Sequence, residues 1–345
     1  MLTMERGFAR VESVLAQAQG AWFTGAVARI EFRGAAVFER AYGVTRADRL
    51  ARTVFRDTLF DLASLTKIFV STLALGAVDT GLLELDAPLT HLVPEWRGRA
   101  HQRITLRMLL AHTSGMHSGA DYRELFDRNV VRFALERDLA AQPGEKVIYS
   151  DLGFIALGEI LQRACGSSLQ AQMRALRPGV QFRPPGSLRA SIPATEEDDW
   201  RGRVQGLVHD EKAYLMGGVA GHAGLFGTAQ DVAWLAEQYL KPRRGDAGVL
   251  SGALADEAIA QQADDAVLRR GLGWALKTRD DNSCGRWFSR ETFGHTGFVG
   301  TCVWADPVRD CSGVLLTNSV YFGRNDSRDL RAAFYEALIE DLGLK

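Results

Sequence analysis

Lysine is nearly missing from this chain: six of its 345 residues, in a sequence whose basic residues are mostly arginine. A lysine beside an apolar run therefore invites an explanation other than solvation. Cysteine is also sparse. Cys165, Cys284, Cys302 and Cys311 form no Cys-x-x-Cys pair, which argues against a zinc ribbon or a thioredoxin-type site and leaves them as expected buried apolar residues. None of the seven histidines belongs to a His-Glu-x-x-His helix, so no metal or cofactor is expected. The net charge is only -1, with both signs interspersed, which argues against nucleic acid or an acidic membrane as partner. No apolar run approaches the length of about 18 residues that a membrane helix needs. Residues 1–10 carry Glu5, Arg6 and Arg10 and no apolar leader segment. The expectation is a cytoplasmic protein, its oligomeric state open. Internal repeats and low-complexity tracts are absent too, as is any Gly-x-Ser-x-Gly elbow, which counts against an α/β-hydrolase.

What is present centres on Phe60 to Val70. Ser64 and Lys67 stand three residues apart at the start of an apolar run, so on a helix they share one face. A serine hydroxyl is a weak nucleophile at neutral pH and needs a base within reach. An amine one turn away can serve if burial or a nearby cation lowers its pKa. The plainer alternative is that Ser64 caps the helix and Lys67 is solvated. Against it, no other serine in the chain has a lysine three residues on, and Ile68, Phe69 and Val70 follow Lys67 into what reads as a core.

Along the chain, Phe8, Val11, Leu15 and Ala18 give residues 5–18 a helical period. Residues 22–32 and 36–42 read as a β-hairpin turning at Arg33-Gly34, and the Ser64 helix should end near Thr80-Gly81. Residues 84–260 read as helices and irregular loops, with helices over 105–111, 122–141, 152–164 and 229–239. Thr228 and Asp231 form a capping box for the last of these, and 178–193 is a loop. Strands return at 273–278, 287–293, 299–306 and 313–318, and a final amphipathic helix carries Leu330, Phe334, Leu338 and Leu342. The fold expected is α/β with an all-helical insertion: residues 1–83 and 261–345 build one antiparallel sheet flanked by helices, and 84–260 is inserted. A site would lie in the cleft between these parts.

Two tripeptides add chemical groups. In Tyr149-Ser150-Asp151 the phenol can shuttle protons beside a cation; alternatively Tyr149 packs at a loop edge while Ser150 or Asp151 caps the next helix. In His295-Thr296-Gly297 the side chains can hold a carboxylate and the glycine allows close backbone approach to a ligand. The Phe298 and Ser64 amides could then form an oxyanion hole. The alternative is a hairpin turn with a surface histidine. The glycine-rich stretch 217–224 lacks the ending of a P-loop and reads as a loop lining the cleft, with His222 structural.

In order, Ser64-x-x-Lys67, Tyr149-x-Asp151 and His295-Thr296-Gly297 resemble the three signature motifs of the penicillin-recognising serine hydrolases. This superfamily holds class C β-lactamases, D-Ala-D-Ala carboxypeptidases and related esterases. Residues 104–115, Pro143-Gly144 and 224–229 are similar to flanking segments of that family, so the likeness spans roughly residues 10–340. It implies a β-lactamase/transpeptidase-like fold. It also implies a Ser64 acyl-enzyme, proton transfer shared by Lys67 and Tyr149, and placement of a substrate carboxylate by His295 and Thr296. Two positions depart from the family pattern. Histidine replaces the lysine usual in the third motif of class C β-lactamases, and Asp151 stands where asparagine is commoner. Aspartate offers no amide donor and would keep Lys67 protonated, which favours Tyr149 as the general base. Residues 208–213 followed by 217–226 resemble a branch linked to cell-wall recycling that includes muropeptide amidases. The function expected is therefore a serine hydrolase acting on a small peptide, muropeptide or ester. The alternatives are a β-lactamase proper and a penicillin-binding sensor or scaffold without turnover.

Overall fold

A computed structural model describes residues 7–264 and 269–345. Helix α1 (Ala9–Ala18) buries Val11, Leu15 and Ala18 as their spacing requires; residues 5 and 6 of the expected helix lie outside the described residues. Strands β1 (Gly25–Phe32) and β2 (Ala35–Gly43) form the hairpin. Arg33 and Gly34 both take positive φ, 53° and 76°, as a two-residue turn matched to strand twist demands. Helix α2 (Thr66–Asp79) follows, then α3 (Asp151–Cys165) and α4 (Ala229–Leu240). The short strands β3 (Ala263–Asp264), β4 (Arg269–Arg270) and β5 (Ala275–Leu276) lead to β6 (Phe293–Thr296), β7 (Cys302–Asp306) and β8 (Cys311–Thr317). Helix α5 (Arg328–Leu342) closes the chain.

The eight strands form one antiparallel sheet in the order β2-β1-β8-β7-β6-β5-β4-β3. The first hairpin thus pairs with the last strand, Ala26 opposite Thr317, and joins the two ends of the chain. Side-chain alternation with period two builds a core on each face. Ala26, Ala28, Ile30, Trp304 and Leu315 pack with α1 and α5. Val27, Val303, Val314 and Leu316 pack with α2 and α4. Each large side chain buried this way contributes about 1.5–3 kcal/mol. Helix α2 is buried almost all round, the condition of a helix at the centre of a domain.

The middle of the chain is helical apart from short β pairings. Phe60–Asp61 pairs with Leu225–Gly227, which pairs in turn with Gln181–Phe182. The expected helix over 122–141 is broken into a 3₁₀ turn, Tyr122–Leu125, and a helix, Val130–Glu136, because Asn129 caps the second piece through the Arg132 amide. The strand expected from 287 starts only at Phe293: Ser289 is tied to the Asp306 carboxylate through both N–H and hydroxyl at 2.7 Å, which holds the preceding segment as a loop. The capping box of α4 is formed as read, Thr228 with Asp231. All four cysteines are free; Cys165 is exposed on the last turn of α3, contrary to its expected burial.

Candidate active site

Ser64 sits in a single 3₁₀ turn, Ala63–Leu65, that runs directly into α2, and no side chain caps that helix. The turn is strained: Ala63 has φ +46°, a region that costs a residue with a Cβ roughly 1–2 kcal/mol. Asp61 holds it there by accepting the Ala63 N–H at 2.8 Å with one oxygen and the His209 N–H at 2.6 Å with the other. Burial pushes the Asp61 carboxyl above the ordinary carboxylate range despite those two amide donors. From the other side β6 presses on the turn. A Cβ on Gly297 would lie 2.0 Å from Thr301 Oγ1 and 2.8 Å from the Leu62 carbonyl. The glycine is thus required for close contact with the Ser64 turn.

Lys67 is 0% exposed. Its ammonium donates to Ser64 Oγ at 3.0 Å and to the His222 carbonyl at 3.0 Å, and pairs with Asp151 Oδ1 at 2.8 Å. Burial alone would lower its pKa; the Asp151 charge and Tyr149 outweigh burial and hold it above the ordinary lysine value. The depressed, base-competent lysine that the motif first suggests is therefore not what the fold produces. Asp151, expected among the substrate-binding groups, does not line the pocket. It begins α3 after the Ser150 cap and meets Lys67 with one oxygen and Lys212 with the other, the latter at 3.3 Å.

In front of Ser64 opens a pocket of about 650 Å³ whose lining includes Ser64, Tyr149, Arg270, His295, Thr296, Gly297 and Phe298. The Tyr149 ring lies 4.8 Å from Lys67 Nζ and 5.2 Å from the Arg270 guanidinium carbon, both within cation–π range. The Tyr149 and His295 rings are 6.0 Å apart. Burial, helped by Arg270 and Lys67, pushes His295 down to about 3, so its imidazole is neutral at pH 7. Phe298 is exposed at the rim and stacks on His209. The glycine-rich stretch 217–224 does not line this pocket, contrary to expectation. It packs behind Lys67, where a Cβ on Gly221 would lie 2.0 Å from the Phe154 carbonyl of α3. That close approach is what delivers the His222 carbonyl to Lys67.

A family model described as Beta-lactamase matches residues 11–337. The chain belongs to the beta-lactamase family. Among its relatives, the esterase EstB of Burkholderia gladioli is 31% identical over 91% of this chain and 91% of its own length. The N-acetylmuramyl-L-alanine amidase of Bacillus subtilis is 28% identical over 90% of this chain and 80% of its own. A putative D-alanyl-D-alanine carboxypeptidase of Escherichia coli is 31% identical over 76% of this chain and 69% of its own. The solved structure of EstCE1, a hydrolase with promiscuous acyltransferase activity, aligns over 96% of this chain and 99% of its own with a TM-score of 0.75 at 22% identity, which speaks to the fold alone. The protein is a beta-lactamase-family serine hydrolase with a mixed fold whose sheet comes from both chain ends. Among the described residues no helix is long and apolar enough to cross a membrane.

Several residues of this beta-lactamase-family site carry no motif of their own. Asp61, three residues before Ser64, offers only a lone carboxylate to sequence reading. His112 lies in the stretch 104–115 that matches the family, yet its task shows only in three dimensions. Its Nδ1 accepts the Ser150 N–H at 3.0 Å and its ring lies 4.6 Å from that of Tyr149. Burial, then Arg270 and Lys67, hold His112 well below the ordinary histidine value, so it is a neutral wedge that fixes Tyr149. Arg270 had no signal at all; β4 brings it over the phenol only once the sheet is assembled.

Proposed function

We propose that the enzyme cleaves an amide or ester bond in a small peptide, muropeptide or ester through a Ser64 acyl-enzyme. The observation that carries this reading is Lys67: a fully buried ammonium 3.0 Å from Ser64 Oγ, fixed in charge by Asp151. Because Lys67 donates to Ser64 Oγ, the serine's own proton is left to another acceptor, and Tyr149 on the same pocket wall is the group available. Acting as the phenolate, Tyr149 takes that proton as Oγ attacks the carbonyl carbon, and as the phenol it then hands the proton to the departing amine or alcohol. Water then attacks the acyl carbon while the Tyr149 phenolate takes one of its protons, and Tyr149 passes that proton to Ser64 Oγ as the ester bond breaks, which releases the acid and restores Ser64 and the phenolate. The amides of Ser64 and Phe298 stabilise the oxyanion, and such donors are worth about 10²–10³-fold each. His295 and Thr296 position the substrate. A neutral His295 holds a carboxylate by hydrogen bonding alone, less tightly than an ammonium would, which supports an esterase or amidase over an efficient β-lactamase.

The test pairs Ser64→Ala with Tyr149→Phe. Ser64→Ala should abolish p-nitrophenyl ester turnover and active-site labelling by a fluorophosphonate while the circular dichroism spectrum is unchanged. Tyr149→Phe should lower kcat about 10²-fold or more. Persistent turnover in Ser64→Ala would overturn the assignment. Screening with muropeptides, D-amino-acid peptides, esters and a chromogenic cephalosporin then separates the substrate classes. A labelled penicillin retained without turnover would instead make the protein a sensor.

A further inference from the structure

Behind Lys67 ion pairs and hydrogen bonds close into a ring. Asp151 joins Lys67 at 2.8 Å and Lys212 at 3.3 Å; Lys212 joins Asp210 Oδ2 at 3.0 Å; Asp210 Oδ1 meets His222 Nε2 at 2.7 Å; and the His222 carbonyl returns to Lys67 at 3.0 Å. One ligand atom from each of Asp151, Asp210 and His222 lies within 4.8 Å of the others, an arrangement that invites a cation. The Lys212 ammonium, in contact with both carboxylates, fills that place. It therefore competes with Lys67 for Asp151, and Asp210 is the group that draws it away.

We propose that Asp210 and Lys212 are positioning residues for the hydrolytic reaction, together setting how firmly Asp151 holds the Lys67 ammonium against Ser64. This rests on the reading of Ser64 as the nucleophile. The groups facing Lys67 are Tyr149 and Asp151 from the start of α3, the His222 loop behind, and His295, Arg270 and His112 toward the sheet side. The histidines His112 and His295 are held neutral, so the ring and Arg270 dominate the local charge.

The test is Asp210→Asn, alone and combined with Lys212→Met. Asparagine caps helices as well as aspartate does, so the Asp210 bond to the Ala213 N–H, 2.8 Å, survives while the charge is lost. In the single variant Lys212 should swing its charge onto Asp151 and loosen Lys67. The expected result is a kcat/KM at neutral pH lowered about tenfold, the equivalent of one pKa unit, and an alkaline limb in the pH profile at lower pH than in wild type. Removing Lys212 as well should recover most of that loss and move the limb back. With only six lysines in the chain, ¹³Cε resonances of lysine-labelled protein follow Lys67 directly, independent of turnover. The proposal is overturned if the double variant is no better than the single, or if Asp210→Asn leaves both the profile and the Lys67 resonance at wild type. Those outcomes with Ser64 still labelled and Ser64→Ala inactive would leave the nucleophile assignment standing. An unlabelled Ser64 would overturn both.

Discussion

Asp61, buried, and Asp151, whose side chain is 19% exposed, both brace Ser64, one under its turn and one behind Lys67, and their environments push them in opposite directions. Asp61 accepts two backbone N–H groups, and burial still leaves it above the ordinary carboxylate range. Burial acts on Asp151 in the same sense, yet Lys67, His222 and Lys212 bring it below that range. Amide dipoles orient a buried carboxylate without offsetting its desolvation; full positive charges do both. The turn is thus held by geometry, and the lysine by charge.

The largest expected effect breaks the charged side. Lys67→Met removes the ammonium beside Ser64 Oγ and leaves Asp151 to Lys212 alone; kcat should fall about 10³-fold, measured on the same ester and with the fold checked by thermal melting. If charge is what the back of the site supplies, Lys67→Met should cost far more activity than stability. The geometric side breaks differently. In Gly297→Ala, one residue past β6, the new Cβ falls 2.0 Å from Thr301 Oγ1 and 2.8 Å from the Leu62 carbonyl, so the end of β6 and the chain entering the Ser64 turn must separate. Overpacking of this kind costs about 1–3 kcal/mol, read in urea melts, and turnover should drop in step with it. A Gly297→Ala protein as stable and active as wild type would show that β6 does not brace the turn.

How much of this was legible in the sequence depends on chain distance. The Ser64–Lys67 pair could be read because one helical turn joins them, and Tyr149 and His295 because each keeps a short local pattern. The joining of the two chain ends in one sheet followed from strands recurring after a helical stretch. The ring behind Lys67 could not be read. Asp151, Lys212 and His222 are far from Lys67 along the chain, and the His222 carbonyl reaches Lys67 because Gly221 lets its loop lie against α3. The protonation of Lys67 was half legible: the motif suggested a depressed lysine, while Asp151 argued for a charged one. Burial and ion pairing oppose each other there, and only coordinates say which partner is close enough to win. The shape of the pocket wall was not legible at all, since Arg270 enters from a two-residue strand without periodicity.

The smallest expected effect sharpens the comparison most, because it is a difference of slopes. A carboxyl raised in the folded state is protonated more readily there than in the unfolded chain. The stability that Asp61 contributes is therefore complete below the unfolded value of about 3.9 and is lost as pH rises through its folded value. For Asp151, lowered in the folded state, the contribution is present above about 3.9 and is lost as pH falls through the folded value. Replacing each by asparagine should then give penalties that run in opposite directions. The Tm deficit of Asp61→Asn relative to wild type should shrink between pH 4 and 7. That of Asp151→Asn should grow from below pH 4 upward, each by about 2 °C or more. Parallel slopes would mean that the two carboxylates sit in equivalent fields, and the division between a geometric brace and an electrostatic one would fail.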